Sequence, residues 1–282
     1  MPELAEVEFF RRRWDEAAQG QRVLSVAVHA KAKVFRGTDA DALARTLPGK
    51  RLMNSEAAAK QMLFRFSGDL WLGIHLGMTG ELTVGSPSHS PAKHDHLAIF
   101  TKKHALVFGD HRMFGRVQFH EGKDAPDWWS DIAPAILGPE FTEKTVAAFL
   151  ARRRRAPIKA VLLMQERFPG IGNWMADEIL WRAGIHPRRE AGSLSPAETK
   201  TLWRECRQVA RSALEKIAGA GGKLPPDLNI HIPDTWLFHH RWEDGGRCPK
   251  TGALLIREEI GGRTTCWSPG RQKAPRKTRQ RA

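Results

Sequence analysis

The chain predicts an α+β fold in two parts, and three observations carry that expectation. Short apolar runs at 23–30, 62–66, 70–76, 96–100, 105–108 and 116–119 are separated by turn residues, the pattern of a β-sandwich. Stretches with helical spacing follow at 142–152, 158–167, 173–182 and 195–217. Between the two regions, residues 121–139 are rich in Pro, Gly and Asp, and Leu137-Gly138-Pro139-Glu140 reads as the joint.

In chain order, residues 3–18 form a helix with Leu4, Val7, Phe10 and Trp14 on one face and Gly20 closing it. A small helix near 39–47 interrupts the strands. Beyond the joint, the turn Gly170-Ile171-Gly172 runs into a helix from Asn173, with Ala176, Ile179, Leu180 and Ala183 at helical spacing and Gly184 and Pro187 ending it. A tight glycine turn allows close backbone approach, and a helix N-terminus offers unpaired N–H groups, so the pair can clamp a phosphate. The same turn also serves as a plain packing turn. Ser195-Pro196-Ala197-Glu198 is a capping box with Pro at the first helical position. Past Gly219–Gly222 the pattern returns to short strands, and the chain ends in a basic tail expected to be disordered.

At 282 residues the chain can bury substantial cores. The net charge of +14, from 45 Lys+Arg against 31 Asp+Glu, favours a polyanionic partner. Nucleic acid is preferred over membrane, because no basic amphipathic anchor or long apolar run is present. The acidic N-terminus begins a helix at once and carries no secretory signal, so a cytoplasmic, nucleoid-associated location is expected. Cys206, Cys248 and Cys266 imply no disulfide framework. Tyrosine is absent and tryptophan numbers ten, so aromatic stacking falls to Trp and Phe.

Pro2 is the first residue with chemistry in it. Freed by removal of Met1, its nitrogen is a secondary amine whose reference pKa is about 8. Enough of it is neutral near pH 7 to attack an electrophilic carbon such as a sugar C1′, and the resulting iminium is an electron sink. Glu3 beside it can move protons. Read alone, the same residues are a helix-start proline and an acidic first turn.

Two strings at opposite ends of the chain bear on that choice. Residues 158–187, IKAVLLMQERFPGIGNWMADEILWRAGIHP, resemble the helix–two-turn–helix segment of the formamidopyrimidine-DNA glycosylase / endonuclease VIII family, and residues 1–8, MPELAEVE, resemble its N-terminus. The resemblance implies that Pro2 is a Schiff-base nucleophile, that Glu3 is essential, and that Glu6 is a carboxylate near the active site. Lys60, just before a strand, matches a lysine that contacts phosphates around the lesion and assists β-elimination. His75-Leu76-Gly77-Met78-Thr79-Gly80 resembles the loop that inserts a Met into DNA. Asp110-His111-Arg112-Met113-Phe114-Gly115 resembles its partner loop, usually Asp-Pro-Arg-Arg-Phe-Gly. Met78, Arg112 and Phe114 are thus candidates to fill the gap left by an extruded base. By the same resemblance His94, Arg154, Lys159 and Asn173 are expected at DNA phosphates, and Glu178 near the lesion pocket. His94 and His96 have no third metal ligand in the sequence pattern.

The family usually ends in a four-cysteine zinc finger. Here Cys248 is the one matching ligand, and Thr251, Ser268 and Arg271 stand at the other three positions, with Cys266 two residues too early to substitute. Zinc needs four Cys/His-type ligands, so no metal or other cofactor is expected. A zincless hairpin should still present Arg263, the match to an arginine serving the second elimination. The stretch 223–247 bears little likeness to the family's loop over the flipped base.

The expected organisation is a catalytic β-sandwich domain over 1–137 with an N-terminal helix, and a helix–two-turn–helix domain over 138–222. A zincless finger hairpin follows over 223–272, then a basic tail over 273–282. The resemblance implies a monomeric bifunctional glycosylase and lyase acting on double-stranded DNA that carries a lesion or abasic site. Its implied substrates are oxidised bases of the 8-oxoguanine/formamidopyrimidine type, with Pro2, Glu3, Lys60 and Arg263 catalytic. An endonuclease VIII-like enzyme for oxidised pyrimidines, or a non-catalytic damaged-DNA-binding protein, are the alternatives.

Overall fold

A computed structural model describes residues 2–219 and 224–274, so most of the basic tail lies outside the described residues. The chain divides into two compact units, Met1–Ile132 with Ile217–Leu228, and Ala133–Lys216 with Asn229–Ala282.

The first unit opens with α1 (Leu4–Ala18), whose buried face is Ala5, Val7, Phe9, Phe10, Trp14 and Ala18. Two four-stranded antiparallel sheets follow. One runs β1 (Ser25–Val28), β6 (Asp95–Phe100), β7 (Ala105–Gly109), β5 (Glu81–Gly85); the other runs β2 (Leu52–Ala58), β3 (Gln61–Phe66), β4 (Leu70–His75), β8 (Arg116–Glu121). A short helix, α2 (Ala40–Thr46), lies between β1 and β2, and its N-cap Asp39 accepts from Ala42 N–H at 2.8 Å. Helix α1 touches strands of both sheets, and Trp14 is its anchor: fully buried, 5.1 Å from the Phe64 ring, with its indole N–H on the Thr83 carbonyl at 3.0 Å. Gly73 in β4 admits the Trp128 ring of α3 (Asp127–Ser130); a Cβ there would lie 2.2 Å from that ring.

Strands β2 and β5 escape the apolar-run criterion. β2, LMNSEAA, is a sheet edge with only Leu52 fully buried, so its sequence carries no continuous apolar signal.

The second unit holds α4 (Glu143–Arg152), α5 (Ile158–Leu162), α6 (Asn173–Ala183) and α7 (Pro196–Ile217), then a hairpin of β9 (Ile256–Ile260) and β10 (Arg263–Trp267). Its division from the first unit falls just ahead of the expected joint, because the α7 guanidinium of Arg207 clamps the carbonyls of Ile136, Leu137 and Gly138. The Ser195/Glu198 capping box is present in both directions, at 2.8 and 3.2 Å. Helix α5 ends well before the expected residue 167. The Gln165 side chain takes over, donating to the Leu163 and Ile171 carbonyls and accepting from Gly170 N–H, so the Gly-rich turn is held by a side chain rather than by a longer helix. Among the described residues, no helix is long and apolar enough to cross a membrane.

Candidate active site and nucleic-acid interface

In the first unit, half-buried Pro2 stands directly ahead of α1. The next two acidic residues are almost wholly buried, Glu3 at 2% and Glu6 at 5% exposure. Glu3 is the extended N-cap residue, and its N–H donates to Glu6 Oε2 at 3.1 Å. A helix N-terminus favours negative charge, which is one physical reason two carboxylates can be tolerated there. The same exchange fixes the direction in which the chain, and Pro2 with it, enters the helix.

Lys60 lies in the two-residue turn between β2 and β3, where Ala58 pairs with Gln61. It is 7% exposed, so it is not a solvated edge charge. The turn forces Ala59 to φ +55°, left-handed backbone that costs an L-residue about 1–2 kcal/mol. Burial, then the charges of Lys60 and Arg36, push His75 below the ordinary imidazole value. The neutral His75 ring accepts Gly77 N–H on Nδ1 at 3.1 Å, which ties the lysine's surroundings to the loop carrying Met78.

That loop and the 110–115 loop are held by one carboxylate. Asp110, fully buried, accepts the Thr79 hydroxyl at 2.7 Å, Arg112 N–H at 3.2 Å and Gly115 N–H at 2.7 Å. Backbone contact is tight as well: a Cβ on Gly77 would sit 2.5 Å from Gly115 N. The outcome is an exposed tip. Phe114 is 51% exposed with the Arg112 guanidinium 4.8 Å above its ring, and Met113 is at φ +53°. Met78 is half-buried and directly precedes Thr79, whose hydroxyl meets Asp110, so Met78, Arg112 and Phe114 share one pair of interlocked loops. His94 is partly exposed and its ring stands 4.3 Å from that of His111.

In the second unit the helix start is built from inside. Lys159 has no exposed side-chain surface; its ammonium donates to the Asn173 carbonyl at 2.7 Å and to Asp177 at 2.5 Å. Asp177 also accepts Arg241, at 3.1 Å from Nε, and the Cys266 N–H at 3.0 Å. Lys159, expected at a DNA phosphate, is thus fully buried and braces α6 from beneath. Glu178, expected near the lesion pocket, is buried as well. It is paired with Arg182 at 2.7 Å, and burial pushes its carboxyl above the usual range against the pull of Arg182 and the Leu237 and Phe238 amides.

Asn173 donates from Nδ2 to the Thr264 carbonyl at 2.8 Å, joining α6 to the hairpin. The Gly261–Gly262 turn has positive φ at both residues, as a type I′ hairpin requires, and exposed Arg263 leaves it as the first residue of β10. Arg154 is exposed after α4, its carbonyl held by Gly192 N–H at 3.0 Å.

The four positions that match metal ligands carry other chemistry. Arg271 donates to the Trp181 and Arg182 carbonyls, at 3.2 and 3.3 Å. Its guanidinium and the Lys250 ammonium lie 5.2 and 5.0 Å from the Trp181 ring, whose N–H reaches Cys248 Sγ at 3.3 Å. Burial pushes the Cys248 thiol up, but donors on Ser268, Thr251 and Trp181 outweigh it and bring it down to about 7. A guanidinium and two hydroxyls beside a single thiol do not make a zinc donor set.

Sequence reasoning missed Asp110, Asp177 and Arg241. Asp110 carried a signal, since an Asp ahead of a turn that ends in Gly is a known acceptor for turn amides. Asp177 carried a weaker one, a carboxylate inside the apolar run of α6.

Comparison with known proteins covers both units. Residues 1–117 match the pattern described as the formamidopyrimidine-DNA glycosylase N-terminal domain, and residues 132–222 match the formamidopyrimidine-DNA glycosylase H2TH domain. The formamidopyrimidine-DNA glycosylase of Laribacter hongkongensis is 33% identical over 279 residues, covering 97% of this chain and 100% of its own. That of Chloroflexus aurantiacus is 35% identical over 270 residues, covering 95% and 96%. Among solved structures, Lactococcus lactis Fpg in complex with N7-benzyl-Fapy-dG DNA superposes with a TM-score of 0.84 at 26% identity, over 97% of this chain and 100% of that one. The same protein with abasic-site DNA gives 0.84 at 25% identity, covering 96% and 100%.

Proposed function

The chain belongs to the formamidopyrimidine-DNA glycosylase family, and from that premise we propose that it is a bifunctional DNA glycosylase and lyase of base excision repair. One observation carries the reading: Pro2 directly precedes a helix whose first turn buries Glu3 and Glu6. The pair caps the helix, and it also sets a proton-transfer group next to a nucleophilic amine.

In the proposed reaction, Met1 is removed and the Pro2 nitrogen bonds to C1′ of an extruded nucleotide as the bond from C1′ to the base breaks. Glu3 supplies the proton that opens the sugar ring, and the nitrogen becomes an iminium. Loss of the C2′ proton then expels the 3′ phosphate, and a second elimination expels the 5′ phosphate. Lys60 and Arg263 serve these steps as cations at the phosphates. Water adds to the last iminium and releases the sugar fragment as an aldehyde, returning the Pro2 amine. Met78, Arg112 and Phe114 occupy the place of the missing base, the exposure of Arg112 and Phe114 and the interlocked loops supporting that role.

The proposed substrates are oxidised purine-type lesions in duplex DNA, a reading supported by the names of the matching relatives. Parallel assays on 8-oxoguanine and thymine glycol duplexes separate it from a pyrimidine preference. We further propose that the finger folds without zinc, supported by the Arg271 and Trp181 contacts at the ligand positions.

The test of the chemistry is borohydride trapping on abasic-site DNA, read by mass. A covalent adduct is expected from protein with a free Pro2 and is lost when Met1 is retained. Absence of an adduct from a free-Pro2 protein that binds the same DNA overturns the enzyme reading.

A further inference from the structure

His111 lies in the tip loop between Asp110 and Arg112 and is exposed. Its ring meets that of His94, from the segment entering β6, with centroids 4.3 Å apart at 48°. Two imidazoles in contact at a surface can share one charge easily but not two, since the second proton is repelled by the first.

The surroundings sharpen this. Lys93 and His96 stand on the strand side, and desolvation, then His111, Lys93 and His96, holds His94 below its ordinary value against the smaller pull of Asp95. The two nearby carboxylates are committed elsewhere. Asp95 accepts from His89 Nε2 at 2.9 Å and from Ala92 N–H at 2.8 Å. Asp110 is occupied by Thr79, Arg112 and Gly115. His96 is turned inward, its Nε2 on the Asp110 carbonyl at 2.9 Å and its other face against His29. Arg112 leans over Phe114. Among the described residues, neither the His94 nor the His111 side chain has a hydrogen bond or ion pair. The pair is therefore a surface imidazole site with no hydrogen-bonded counter-ion among the described residues, next to an exposed Arg–Phe tip.

We propose that His111 is a second phosphate-binding imidazole that works with His94, so that DNA binding at this pair takes up a proton. A phosphodiester is anionic throughout the physiological range and accepts from imidazolium N–H groups, so its arrival removes the mutual repulsion and favours protonation of both rings. The inference rests on the proposed DNA reading and adds to it a residue and a pH dependence.

The experiment is fluorescence anisotropy of a tetrahydrofuran-containing duplex at constant ionic strength, from pH 8 to pH 5.5, with wild-type protein, His111→Asn, His94→Asn and the double variant. Each charge-assisted contact carries about a tenfold change in affinity. Wild-type affinity should therefore rise about tenfold or more on acidification beyond the response of the double variant, with each single variant in between. Nuclear magnetic resonance titration of the imidazole Cε1–H signals should show both rings titrating at higher pH in the complex than in the free protein. DNA bound with the same pH response in all four proteins overturns the pair. No DNA binding by wild-type protein at any pH overturns the DNA reading, and this inference with it. Circular dichroism checks that the exposed-loop variants are folded.

Discussion

The Asp110 carboxylate accepts the Thr79 hydroxyl at 2.7 Å, a contact between two loops that are 31 residues apart. With Arg112 N–H and Gly115 N–H on the same carboxylate, one buried acid sets the conformation of both loops. Removing it strands three donors, at about 1–3 kcal/mol for an unsatisfied buried group. Asp110→Ala should lower the urea midpoint accordingly. Base excision should fall by about two orders of magnitude, because ångström-scale misplacement costs that much. Trapping on abasic DNA, which needs no base extrusion from a full stack, should suffer less.

Asp177 neutralises two buried cations, Lys159 and Arg241, with no side-chain exposure of its own. Breaking a buried pair from one side costs about 3–5 kcal/mol because a charge is left without a partner. Asp177→Asn should be strongly destabilised in chemical denaturation. The charge-removing double variant Asp177→Asn with Lys159→Met should recover part of the loss.

His75 gives the first unit a predictable response to acid. Its pKa is depressed in the folded protein by burial and by Lys60 and Arg36, so the folded state binds fewer protons than the unfolded chain below about pH 6.5. Stability from this residue is present above the unfolded value and lost as pH falls toward the folded one. His75→Asn, which retains an acceptor for Gly77 N–H, should lose less stability than wild type between pH 7.5 and pH 5 in urea titrations.

Ala59 sits at φ +55° in the turn that holds Lys60. Ala59→Gly removes the Cβ clash of left-handed backbone while adding freedom to the unfolded chain, and the net should be a gain of about 0.5–1 kcal/mol. Thermal unfolding reads it directly.

The finger should not respond to chelation. Trp181 and Arg271 make their contacts at the positions where a metal site would need thiolates. Prolonged EDTA or phenanthroline treatment should leave the melting temperature and adduct formation unchanged. A fall in either, restored by zinc, would contradict the zincless reading.

The sequence by itself determined the α+β class, the strand-rich first part and the helical second part, because those follow from local periodicity and turn residues. It also marked the Pro2–Glu3 start, the Gly170–Gly172 turn and the two tip loops, since each is a short contiguous string. Edge strands such as β2 left little trace, being half exposed and polar. What only the tertiary structure decided is which charges are buried. Lys159 and Glu178 read as surface residues on helices, yet both are fully buried, Lys159 against Asp177 18 positions on and Glu178 against Arg182 one turn further along its own helix. Burial and pairing of a charge depend on what distant segments bring to it. A local pattern holds no record of Arg241 reaching Asp177, or of Asp110 gathering donors from two loops, and so the groups that position the site emerge only when the chain is folded.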